Sequence, residues 1–163
     1  MNNMMRAVLA ASMVLAFSAC KKEEAAPVAE AQQALVAPAK DDDAGWRKYL
    51  QSVVGQNMGN VSNSPFLYYL PPETDPEFAD KYQRQVESAT GAVGRGVSPG
   101  NMLAFGSSAS SKMADMIETA FKDVQADSMK GVRVVFIGEA ADNARVQTIV
   151  QPTGADYVFV EAK

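Results

Sequence analysis

Histidine is absent from this chain of 163 residues, and cysteine occurs once. Without histidine there is no Ser-His-Asp triad, no Cys-His pair, no imidazole general base and no zinc site that uses an imidazole ligand. Any enzyme built on this sequence works with carboxylates, lysine, tyrosine or serine, so binding is favoured over catalysis. Positive charge is also scarce: 15 Lys and Arg stand against 19 Asp and Glu, a net charge of −4. Phosphate backbones are held by concentrated basic surface, so nucleic acid is not an expected partner. No apolar run is long enough for a membrane-spanning helix, which takes about 20 residues.

The longest apolar run that is present, Ala7 to Phe17, follows a polar start carrying Arg6 and precedes Phe17-Ser18-Ala19-Cys20. This is the layout of an export signal. The four residues around the cut resemble the lipobox of bacterial lipoproteins, with Phe17 where the pattern usually has leucine. The resemblance implies removal of residues 1–19 and acylation of Cys20, so that acyl chains tether the mature protein to a membrane. A lipidated Cys20 leaves no thiol for a disulfide, a nucleophile or a thiolate metal site. Lys21 and Lys22 follow the cysteine. The absence of aspartate directly after it implies residence in the outer membrane, facing the periplasm.

Residues 20–44 are rich in Ala, Glu, Pro and Gln and lack aromatics, so they are expected to form a disordered tether. Such a coil spans roughly 25–30 Å. Asp41-Asp42-Asp43 lacks the spaced oxygen ligands and glycine of a calcium loop and reads as a solvated helix start. Residues 45–163 then alternate helix and strand. Trp46, Tyr49, Leu50, Val53 and Val54 make the apolar face of a first helix, and Pro65 to Leu70 reads as an edge strand. A second helix carries Phe78, Tyr82, Val86 and Ala89 and ends near Gly91. Met102 to Phe105 is a continuous apolar run and Val132 to Ile137 is strongly apolar and β-branched, which predicts central strands. Between them Met113, Met116, Ile117, Ala120, Phe121 and Val124 form a wide helical stripe, whose methionines are packing rather than copper ligands. Asp142 to Val150 and Tyr157 to Val160 close the pattern. The expectation is a single small three-layer α/β domain with a mostly parallel four-stranded sheet, in a shortened flavodoxin-like order 2-1-3-4.

Between the second strand and third helix lies Gly106-Ser107-Ser108-Ala109-Ser110-Ser111-Lys112-Met113. Hydroxyls and amides there are placed to cradle an anion at a helix start. The spacing is close to a phosphate loop, but Ser111 replaces the second glycine and Met113 the magnesium-binding hydroxyl. A Ser-x-x-Lys nucleophile fails on register, because Ala109 precedes Lys112 by three. Gly94 to Gly100 is one residue too long for a dinucleotide fingerprint and precedes a strand, so it is a loop. The ligand-binding candidates are therefore Ser107, Ser108, Ser110 and Lys112, with Glu139 and Asp142 from the next strand end. Trp46, Tyr49, Tyr68 and Arg95 are the candidates for a protein interface. Neither a metal nor a cofactor is expected. The leading expectation is a lipid-anchored binding or assembly module that contacts another envelope protein. The alternative is a histidine-independent hydrolase or binder of small anions that uses the Ser107–Lys112 loop.

Overall fold

The structure is a computed structural model, and it describes residues 35–163. The signal segment, Cys20 and the chain up to residue 34 lie outside the described residues. In chain order the elements are α1 (Asp43–Gln56), β1 (Phe66–Leu70), α2 (Phe78–Gly94), β2 (Met102–Ser107), α3 (Ser110–Phe121), β3 (Arg133–Gly138), α4 (Ala140–Val150), a 3₁₀ turn (Gln151–Thr153) and β4 (Asp156–Glu161). Asp42 caps α1 by accepting the Gly45 N–H at 2.8 Å. The acidic triplet thus serves as a helix start, as its spacing implied. The second helix runs to Gly94 rather than stopping at Gly91, because Val93 extends its buried stripe by another turn.

All four strands are parallel, and the fold is a small three-layer α/β domain. The order is β1-β2-β3-β4, not 2-1-3-4. Each crossover steps the same way across the sheet, which puts α2, α3 and α4 together on one face. The other face is covered by α1. The largely buried strands β2 and β3 are central, and both β1 and β4 are edges.

Register gives the two faces different textures. On the three-helix side Tyr68, Phe105, Phe136 and Phe159 are aligned from strand to strand, making an aromatic row across the whole sheet. Tyr68 stacks on Phe105 at 4.8 Å, and Phe121 of α3 meets Phe105 edge-on at 6.1 Å. On the α1 side the matching row is Tyr69, Gly106, Ile137 and Val160. A Cβ at Gly106 would fall 2.3 Å from Leu50 Cδ2, so glycine is what lets α1 settle onto the sheet.

Residues 35–41, which fall within the segment expected from composition to be a tether, are bonded to the domain. Leu35 and Ala37 pack against the α1-side core, and the Ala37 N–H donates to the Lys163 carbonyl at 2.9 Å. Two alanines and a proline need little apolar surface to be held, since backbone atoms make the bonds. Among the described residues no helix is long and apolar enough to cross a membrane.

Candidate functional site

Parallel sheets present their ligand-binding loops beyond the carboxyl ends of the strands, usually at a point where strand order reverses. The order here never reverses, so the sheet has no such switch point. What the carboxyl edge does carry is the turn after β1, the serine loop after β2, Gly138-Glu139 after β3 and the C-terminal residues after β4.

The serine loop is bonded inward. Ser107, 1 % exposed, donates its hydroxyl to the Leu70 carbonyl at 2.8 Å and accepts the Ala109 N–H at 2.9 Å. It therefore ties β2 to the end of β1 and supports the entry into α3. Ser110 is buried too: its Oγ accepts the Glu139 N–H at 2.8 Å and donates to Asp142 Oδ2 at 2.6 Å. A Cβ on Gly138 would come within 2.6 Å of that oxygen, so the glycine makes room for the bridge. Lys112 turns to Asp115 at 3.7 Å on the outer face of α3. Of the loop's candidates, Ser108 lines two pockets and the buried Ser107 borders the second of them.

The structure does bring Ser110, Glu139 and Asp142 together, but it engages each of them. Asp142 is held by Arg145, which also bonds Asp115 at 2.7 Å and the Ser111 carbonyl at 2.7 Å. Arg145 thus pins α4 to α3. Glu139 pairs with Lys40 at 2.8 Å, and the bond to this carboxylate raises the lysine's pKa. Both Asp142 carboxylate oxygens are thus occupied, one by the Ser110 hydroxyl and one by the Arg145 guanidinium. Among the described residues no cluster of three carboxylates, cysteines or histidines is placed to hold a metal ion.

The candidate interface aromatics sit inside the fold. Trp46, Tyr49 and Tyr68 are 3 %, 6 % and 6 % exposed. Trp46 and Tyr49 meet edge-on at 5.5 Å and fasten α1 to the sheet, while Tyr68 belongs to the aromatic row on the opposite face. Tyr68 and Tyr69 point to opposite sides, as strand alternation requires, yet both are buried because helices cover both faces. Arg95 is exposed at the C-terminal cap of α2. Among the described residues, the large apolar side chains left exposed are Phe66, Leu67 and Val36.

A cluster without a motif in the sequence lies at the end of β1. Tyr69 Oη donates to Asp43 Oδ1 at 2.9 Å, and Arg47 stacks on the Tyr69 ring at 4.6 Å while bonding the same carboxylate. The Arg47 bond holds the Asp43 carboxyl below its ordinary range; burial and the aspartate push the Tyr69 phenol well up. Lys81 and Asp75 pair nearby at 2.7 Å, which lowers the pKa of Asp75. The Asp43-Arg47 spacing of four was the available sign; the tyrosine partner was not, being 26 residues away.

The carboxyl edge is covered by residues 35–41. Lys40 stands between a pocket of about 210 Å³ bordered by Pro72, Thr74 and Ser108, and one of about 180 Å³ bordered by Trp46, Ser108 and Glu139. The Ala39 carbonyl accepts the indole N–H of Trp46 at 3.1 Å. Comparison of the chain with protein-family models, with curated proteins and with solved structures returns no match.

Proposed function

We propose that this chain is a bacterial envelope lipoprotein, held by acyl chains on Cys20 and facing the periplasm from the outer membrane. Its α/β domain acts as a binding or assembly module, either a component of an envelope complex or an inhibitor of an envelope-active enzyme. The observation that carries this reading is that the polar groups of the carboxyl edge are engaged inside the protein. Ser107 and Ser110 hold neighbouring strands and helices. These bonds suit a rigid platform better than a nucleophile waiting for substrate.

Two measurements test it. Cys20→Ser is expected to abolish acyl labelling and release the chain from membranes; continued labelling and membrane attachment of that variant would overturn the anchor. The acylated chain, crosslinked in envelopes and purified, is expected to retain one envelope protein saturably at micromolar concentration. Recovery of no saturable partner would overturn the module.

A second reading, a binder of small anions, draws on the pocket where Ser108 and Thr74 face Lys40. Glu73 and Asp41 border the same space and oppose negative charge. On that reading a phosphate- or carboxylate-bearing ligand raises the melting temperature, and Ser108→Ala or Lys40→Ala removes the rise.

A further inference from the structure

The segment 35–41 has neither helix nor strand, yet it is bonded across the domain. Its long-range main-chain bond is the Ala37 N–H to Lys163 O, and the Ala39 carbonyl accepts both the Trp46 indole N–H seven residues on and the Asp42 N–H at the turn into α1. Neither group depends on the identity of its own side chain, so any extended chain in the same register could supply both. Side chains add selectivity. Ala37 packs on the α1-side core, Pro38 borders the pocket with Trp46, and Lys40 reaches Glu139. Recognition by main-chain bonds with small side-chain pockets is how proteins commonly hold extended peptides. The attachment is also light: the ion pair is open to solvent at both partners, 78 % and 51 % exposed, and exposed pairs hold weakly.

We propose that residues 35–41 are a detachable strap that fills, in cis, a peptide groove formed by Trp46, Ser108, Glu139 and Lys163. The ligand of the groove is an extended peptide with a small apolar residue, then proline, then lysine or arginine two positions further on. This deepens the binding-module reading and rests on it, naming the kind of partner that module takes. When the strap leaves, the two pockets on either side of Lys40 join under Ser108, and the incoming peptide inherits the contacts with Lys163, Trp46 and Glu139. A ligand that competes with a cis segment binds more weakly by the fraction of molecules whose groove is open. Loosening the strap therefore tightens binding in trans.

Trp46 is the single tryptophan, and its N–H is bonded to the strap, so its emission reports strap docking. In the full chain the amide of Ala37 should exchange hydrogen at least tenfold more slowly than in an unstructured peptide. Ala37→Pro, which deletes the donor, and Lys40→Glu, which reverses the charge facing Glu139, should each shift Trp46 emission to the red. The probe is acetyl-Leu-Val-Ala-Pro-Ala-Lys-amide. It should bind both variants about tenfold more tightly than the parent chain, and Lys40→Glu with Glu139→Lys should instead prefer the probe with glutamate in place of its lysine.

Free exchange at Ala37 in the parent chain would overturn the strap. Equal probe affinity in parent and variants, or no binding to any of them at millimolar concentration, would overturn the groove. These failures are separable from failure of the module reading: a chain that still retains an envelope partner while ignoring the probe keeps the module and loses the groove.

Discussion

The two faces of the sheet are built on different terms. Three helices cover one of them, over a row of four aromatic rings that runs from edge to edge in register. One helix and the segment 35–41 cover the other, over a row interrupted by Gly106. Large flat side chains on the first face fill the space beneath several helices at once. Small and β-branched residues on the second let a single helix sit close, with Leu50 lodged above the glycine. The three-helix face holds by volume, and the one-helix face by proximity. The strap belongs to the face with less to hold it.

Measurements can break or sharpen this contrast. Phe105→Ala opens a hole beneath both Tyr68 and Phe121, and should have the largest effect, a loss of ~3–5 kcal/mol in denaturant unfolding. Gly106→Ala tests the other face. Its new methyl displaces Leu50 without violating the backbone, at ~1–3 kcal/mol, and should loosen α1 while sparing α3 in hydrogen exchange. If α3 loosens equally, the faces are not independent. Ser110→Ala leaves the Glu139 N–H and the Asp142 carboxylate short of a partner, for ~1–2 kcal/mol. A loss of stability with unchanged partner retention is the expected pattern, and it separates a structural serine from a ligand-binding one.

The smallest effect is the response to acid. The Arg47 bond depresses the Asp43 carboxyl in the folded state, so the associated stability is fully present above the unfolded value, about pH 4, and fades as pH falls through the folded one. Asp43 lies on α1, so Trp46 emission should begin to move below about pH 4, before the far-ultraviolet dichroism does. Asp43→Asn should remove that early movement, and its persistence would assign the loosening elsewhere.

Much of this architecture could be read from residue patterns. Met102 to Phe105 and Val134 to Ile137 are apolar without alternation, which central parallel strands require, and the helices show their buried stripes at regular spacing. Strand order could not be read the same way. A crossover that steps outward and one that doubles back use the same apolar periods, and the choice rests on packing between elements. The partners of Ser107 and Ser110 were hidden for a related reason: hydroxyls beside a helix start look available, and Leu70 O and Asp142 are 37 and 32 residues away. Gly106 was legible as a glycine that mattered, but the neighbour it admits is a leucine rather than a phosphate. The docking of residues 35–41 was the least visible feature, since a backbone N–H and a backbone carbonyl make its main contacts and neither leaves a mark in composition.

The uninterrupted order β1-β2-β3-β4 also bears on how the chain assembles as it emerges from a narrow exit. Every strand after the first pairs with the one made just before it, so no position in the sheet waits for a segment still to come. Each loop to be closed is a single strand-helix unit, the shortest that parallel pairing allows, and its entropic cost is correspondingly low. Such a domain can zip from its first strand to its last without holding a gap open.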